Sequence, residues 1–190
     1  MDQKTVINEA IEVLKSGGVL LYPTDTVWGI GCDATNEKAV ARVYEIKRRS
    51  EAKSLVLLAS NLDMVARYVR EIPSIAIDLV EVNDAPMTII YPEGQLLAPN
   101  AVAEDGSVGI RIPFGEHFCK ELVKRFRRPI VSTSANISGE PTPEKFSDIS
   151  EEIKAAVDYV VPRCMESDST GKSSQIIKVG LKGEVAIIRK

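Results

Sequence analysis

Short apolar runs alternate with amphipathic helical segments along almost the whole chain, and this alternation constrains the fold more than any other feature. "GVLLYP", "SLVLLA", "MTIIYP", "VGIRIP", "PIVSTS", "SQIIKV" and "EVAIIRK" read as strands, being too short for helices and rich in β-branched residues. Helical periodicity fills the gaps. Val6, Ile7, Ala10, Ile11 and Leu14 share one helical face, which Gly17-Gly18 closes. Asn36 caps a second helix over "EKAVARVYEIKRR", with Val40, Val43 and Ile46 inward. Two helices flank Pro73, another covers "EHFCKELVKRF", and one more lies near Ser150–Val157 before a short strand, "DYVV". Gly183 sits between the last two strands, which therefore form a hairpin. Strands and helices in this order predict an α/β fold with a mixed sheet. The 190 residues suit a single domain, 1–190, with no repeat or linker.

Composition removes several function classes. A 44% hydrophobic and 27% charged chain is that of a soluble globule. Its net charge of −3 argues against an overall nucleic-acid coat, though it permits a local basic face. Cys32, Cys119 and Cys164 stand far apart, so neither a zinc site nor a disulfide scaffold is expected, and free thiols suit a reducing compartment. No apolar run reaches the roughly 20 residues of a membrane span. Met1–Lys4 leads into an amphipathic segment rather than a signal peptide. A cytoplasmic location is expected.

Ligands of such sheets tend to lie outside the carboxyl ends of strands, and two polar segments sit there. "VSTSANISGEPTP" begins as a buried strand and then presents Ser132, Thr133, Ser134, Asn136, Ser138 and Thr142. An Asx- or Ser-rich turn accounts for one or two of these groups. "YPTDTVWGIGCDA" offers Thr24, Asp25 and Thr26 after a strand, then Gly29 and Gly31 where side chains would crowd a ligand. Trp28 fits core or lid equally. "IKRRSEAK" places Lys47, Arg48, Arg49 and Lys53 at a helix end, where they complement the macrodipole or form an anion trap. Lys124, Arg125, Arg127 and Arg128 read as a solvated face. Arg111 in "VGIRIP" alternates away from Ile110 and Ile112, so it is either exposed or a carboxylate clamp.

Other motifs carry less. "STGKSS" ends like a phosphate-binding loop, but Glu166 stands where that motif needs glycine and a β-like segment follows, so it is rejected. His117 is the single histidine and reads as a solvated residue near a helix start. No G-x-S-x-G elbow exists.

Taken together, "YPTDTVWGIGCDA", "IKRR" leading into "KSLVLL", "GIRIP" and "STSANISGEPT" resemble, in order and spacing, the YrdC-like threonylcarbamoyl-adenylate synthase family. The most specific elements are the pairs Lys47/Arg49 and Ser134/Asn136, and the resemblance covers nearly the whole chain. It implies a twisted mixed parallel and antiparallel sheet flanked by helices, with a large, concave, positively charged cavity. It implies formation of threonylcarbamoyl-AMP and pyrophosphate from L-threonine, bicarbonate or CO2, and ATP with Mg2+. The product serves threonylcarbamoyladenosine modification of tRNA next to the anticodon, completed by a partner transferase.

By the same resemblance, Lys47, Arg49, Lys53, Ser107, Ser134, Asn136, Thr142 and Arg189 correspond to nucleotide-binding positions. Lys47 and Arg49 act there electrostatically, with no covalent nucleophile, and Mg2+ is held through the phosphates rather than by protein ligands. Thr26, Leu58, Arg111, Ser132 and Ser174 correspond to positions around threonine, Leu58 by apolar packing only. The chain departs from the family pattern at Ser50, Ser54 and Ala85. Two alternatives remain: an RNA-binding module of the same fold, and the carbamoyl-adenylate chemistry of hydrogenase maturation. The companion domains of the latter have no room here.

Overall fold

The computed structural model describes residues 2–50 and 55–190. The first helix, α1 (Gln3–Lys15), starts where the Asp2 carboxylate accepts the Thr5 N–H at 3.0 Å. It buries Val6, Ile7, Ala10, Ile11 and Leu14, the five residues whose spacing marked the inward face. Gly17 then takes φ +82°, a left-handed turn that releases the chain into β1 (Leu20–Tyr22). Strand β2 (Gly29–Gly31) follows, and α2 (Glu37–Lys47) begins at Asn36, whose side chain accepts the Ala39 N–H at 3.1 Å.

The remaining elements run β3 (Val56–Leu58), α3 (Leu62–Tyr68), α4 (Ser74–Glu81), β4 (Met87–Tyr91) and β5 (Val108–Arg111). They continue through α5 (Phe118–Phe126), β6 (Ile130–Ser134), α6 (Glu151–Ala156), β7 (Tyr159–Val160), β8 (Gln175–Val179) and β9 (Val185–Arg189). Among the described residues no helix is long and apolar enough to cross a membrane.

One nine-stranded sheet joins these strands in the order β7-β1-β2-β6-β3-β5-β4-β8-β9. Three neighbour pairs, β1/β7, β3/β5 and β4/β8, are parallel and the rest antiparallel, so the sheet is mixed as expected. The register sets out two faces. Leu58, Arg111, Thr88, Ile176 and Arg189 form one row across β3, β5, β4, β8 and β9, so their side chains share the front. Leu57, Ile110, Ile89 and Ile177 form the adjacent row, and these side chains point to the rear. Because neighbouring strands run in both directions, the sheet has no single carboxyl edge at which a ligand could settle.

The core is continuous. Leu14, Leu20, Leu21 and Leu57 are fully buried, each worth about 1.5–3 kcal/mol of transfer free energy. Trp28 is 2% exposed, so it belongs to the core rather than to a lid.

Strand β2 was not legible as a strand, because three residues with two glycines carry no β signal. The structure separates the duties of those glycines. A Cβ on Gly31 would lie 1.9 Å from the Val131 carbonyl oxygen and 2.8 Å from the Tyr22 ring, so this glycine is needed for close strand packing rather than for ligand access. Gly31→Ala is therefore expected to destabilise the protein by about 1–3 kcal/mol in a urea titration. A change well inside that range's lower limit would show that the backbone can give way.

Candidate functional site

Seven of the residues nominated from sequence, Thr26, Arg49, Arg111, Ser132, Ser134, Ser174 and Arg189, line one hollow of about 220 Å3 on the front of the sheet. Val56, Arg111, Ser132 and Ile176 belong to four different strands beneath it. The Thr24–Val27 loop walls one side, and Ser173 and Ser174 the other. The site lies over the sheet face, not beyond strand ends. Among the described residues, three arginines and no carboxylate line it.

Arg111 is 4% exposed, which removes the surface alternative for it. Its Nη1 donates to Asp25 Oδ1, and the second Asp25 oxygen accepts the Phe114 N–H at 3.0 Å. Asp25 thus holds one edge of the guanidinium, while the remaining N–H groups of Arg111 have no partner among the described residues. Those donors suit a planar carboxylate.

The threonine pair beside it is polarised by its own bonds. Thr24 Oγ1 donates to the Val27 carbonyl at 2.6 Å and accepts the Thr26 N–H at 3.1 Å. Its 2.9 Å contact with Thr26 Oγ1 is then donated by Thr26. The Thr26 hydroxyl proton is committed, leaving its lone pairs to accept from a ligand ammonium or hydroxyl. Thr24 and Asp25, which the sequence offered beside Thr26, act here as positioning residues, and Thr88 is one that the sequence did not single out. Thr88 is fully buried and shares a 2.8 Å hydrogen bond with Ser174 Oγ. Arg189 Nε and Nη2 donate to the Ser174 carbonyl at 3.0 and 2.7 Å, tying β9 to the same corner.

The cations at the end of α2 separate rather than cluster. Arg48 adopts φ +49° and pairs outward with Glu152. Arg49, half-buried, lines the hollow. Lys47 is 2% exposed and does not line it. Its ammonium donates to the Ser134 carbonyl at 2.5 Å, the Asn136 carbonyl at 2.7 Å and Asn136 Oδ1 at 3.3 Å. Lys47 therefore braces the loop after β6 from behind. The loop is further closed by Ser134 Oγ donating to Asn136 Oδ1 at 2.5 Å and Asn136 Nδ2 donating to the Glu140 carbonyl at 2.7 Å. Much of the hydroxyl and amide content of "STSANISG" is thus spent on the loop itself, and Ser134 still lines the hollow.

Of the other nominated residues, Leu58 is fully buried and Asn136 sits within the braced loop. Thr142 is exposed beyond that loop. Ser107 precedes β5, about 13 Å along the strand from Arg111, and its hydroxyl donates to Asp105 Oδ1 at 2.5 Å. None of these four lines the hollow. Lys53 lies outside the described residues. The rejected "STGKSS" segment crosses the threonine loop, where Thr170 and Gly171 donate backbone N–H groups to the Asp25 and Thr26 carbonyls at 3.1 and 3.0 Å. His117 shares a 2.7 Å bond with Ser167 at the edge of this strap and takes no part in the hollow.

Burial, and secondarily the charge of Arg49, pushes the Lys47 ammonium from 10.5 down to about 8. The unfolded chain then holds this proton to higher pH than the folded one, so the contribution of Lys47 to stability rises with pH across that window and is lost as pH falls through 8. The stability difference between wild type and Lys47→Met is expected to grow from pH 8 to 10.5, by at most about 1.4 kcal/mol per unit. A flat difference would place the proton elsewhere.

The fold and the hollow define a YrdC-like domain. A family model for Sua5/YciO/YrdC, described as "Telomere recombination", matches residues 12–190, and the chain belongs to this family. Among its relatives, the threonylcarbamoyl-AMP synthase of Hahella chejuensis is 34% identical across 90% of this chain and 91% of its own length. The P. abyssi Sua5 structure complexed with L-threonine superposes with a TM-score of 0.84 at 24% identity, covering 94% of this chain and 52% of that one. The chain thus spans about half of that protein. E. coli YciO gives a TM-score of 0.83 at 22% identity, over 100% of this chain and 90% of its own. These two structures agree in fold.

Proposed function

We propose that this protein makes threonylcarbamoyl-AMP from L-threonine, bicarbonate or CO2, and ATP, releasing pyrophosphate. The observation that carries this reading is the convergence of Thr26, Arg49, Arg111, Ser132, Ser134, Ser174 and Arg189 on one hollow. It is supported by relatives that bear the name threonylcarbamoyl-AMP synthase over most of their length.

The chemistry asks little of protein nucleophiles. The threonine amine attacks CO2, or bicarbonate with loss of water, to give an N-carboxylate. An oxygen of that carboxylate then attacks the α-phosphorus of ATP and expels pyrophosphate. The open N–H groups of Arg111 hold the amino acid's own carboxylate, which keeps that group from competing as nucleophile. Thr26 accepts from the ammonium or side-chain hydroxyl of threonine, and Ser132 and Ser174 bound the same corner. Arg49 and Arg189 face the triphosphate and offset its charge, as positioned donors do for a developing anion.

A hollow of about 220 Å3 takes the amino acid and adjoining phosphates, not a whole nucleotide, so base and ribose extend beyond it. Mg2+ is taken as part of the nucleotide substrate, carried in on the phosphate oxygens. The product is a mixed anhydride that a transferase passes to tRNA.

The RNA-binding alternative is weaker because no aromatic side chain among the described residues lines the hollow to stack on a base. Pyrophosphate release from ATP separates the two. Release that requires both threonine and bicarbonate is expected, whereas RNA affinity without release would support the binding module instead.

A further inference from the structure

The segment between β7 and β8 crosses the front site, and the function proposed above draws only on its last residue, Ser174. Residues 167–173, "SDSTGKS", carry no large apolar side chain, and all but Gly171 are exposed. Hydrophobic burial therefore does little to hold this strap in place. Polar contacts do so instead. Thr170 and Gly171 donate their N–H groups to the Asp25 and Thr26 carbonyls at 3.1 and 3.0 Å, with Gly171 in the left-handed region at φ +64°. Ser167 meets His117 at 2.7 Å, and Ser174 meets Thr88 at 2.8 Å.

The strap begins at a charged contact. Glu166 Oε1 accepts the Trp28 indole N–H at 2.7 Å, while Oε2 faces Arg163 at 3.8 Å. A charged acceptor strengthens such a bond. The indole is 2% exposed, so a donor left unmet there would cost free energy. Phe146 packs on the indole, the ring centroids 4.8 Å apart and the planes tilted by 53°. Trp28 in turn joins two walls of the front hollow. It follows Val27, whose carbonyl accepts the Thr24 hydroxyl, and its own carbonyl accepts the Ala135 N–H at 3.0 Å. Glu166 thus ties the strap to the same loop that presents Thr26 and, through Asp25, Arg111.

We propose, building on the function inferred for the front hollow, that Glu166 is a positioning residue for its amino-acid end. The carboxylate anchors the strap on Trp28. The N–H groups of Thr170 and Gly171 then fix the Asp25 and Thr26 backbone against which threonine is held. Arg49, which follows α2, serves the triphosphate end from a different element. The carboxylate that removes "STGKSS" from the phosphate-loop pattern has a use of its own.

Glu166→Ala and Glu166→Gln, made in the full chain, test this against wild type. Glu166→Ala should raise the KM for threonine in pyrophosphate release about tenfold, the equivalent of one charged hydrogen bond, and move the KM for ATP less than about twofold. Glu166→Gln keeps an acceptor for the indole and should recover most of the loss. Amide exchange gives a readout that needs no substrate. The Thr170 and Gly171 N–H groups should exchange at least about tenfold faster in Glu166→Ala than in wild type. Equal rises in both KM values, no recovery in Glu166→Gln, or unchanged exchange at Thr170 and Gly171 would each overturn the proposal. Wild type that releases no pyrophosphate with threonine, bicarbonate and ATP would overturn the function of the hollow and this role of Glu166 with it. An active wild type whose threonine KM is matched by that of Glu166→Ala would overturn the role of Glu166 alone.

Discussion

Asp25→Ala is expected to cost about 3–5 kcal/mol of stability, because it strands the Arg111 guanidinium at 4% exposure without its counter-charge. Both members of this pair are buried, Asp25 being 2% exposed, so water in the hollow replaces the lost partner only incompletely. The Phe114 N–H also loses its acceptor. Urea unfolding of the variant measures the total. The double variant Asp25→Ala/Arg111→Met should recover most of the loss, since removing both charges removes the desolvation cost along with the attraction. A single-variant loss below about 1 kcal/mol, the scale of an exposed pair, would mean that water reaches Arg111 and that the front hollow does not enclose it. The same experiment bears on function. With its edge no longer held, Arg111 should grip the amino-acid carboxylate less well even where the variant stays folded, raising the KM for threonine more than that for ATP.

Much of this arrangement was visible in the residue pattern, and the exceptions share a cause. Periodicity found the buried stripe of α1, the Asn36 cap and the strands around the hollow, because local spacing reports which side of an element is apolar. The alternation of Arg111 against Ile110 and Ile112 was also right. What it lacked was the knowledge that the opposite face is roofed by the Thr24–Val27 loop, so that away from the rear core means into a site rather than into water. Lys47 read as a helix-end cation that complements the macrodipole or joins an anion trap, and only the fold brings the Ser134 and Asn136 carbonyls, 87 and 89 positions away, to meet its ammonium. Thr88 gave no signal, since a hydroxyl in "MTIIYP" matters only once β8 delivers Ser174 beside it. Contacts of long sequence separation decide these roles, and no window along the chain contains them.

The division of labour between Lys47 and Arg49 leads to the largest expected effect on catalysis. Arg49→Ala should lower kcat for pyrophosphate release by about 10²–10³, the scale of removing one preorganised donor from a developing anion. The melting temperature of the same variant separates a loss of rate from a loss of fold. Lys47→Ala should lower turnover by another route. It leaves the Ser134 and Asn136 carbonyls without their donor, so lost activity should accompany lost stability. Arg49→Lys should recover only part of the rate, since an ammonium keeps the charge and loses the planar fork. If Arg49→Ala retained turnover within about tenfold of wild type, a single neutral hydrogen bond would suffice to explain the loss, and the charge would not be acting on the triphosphate.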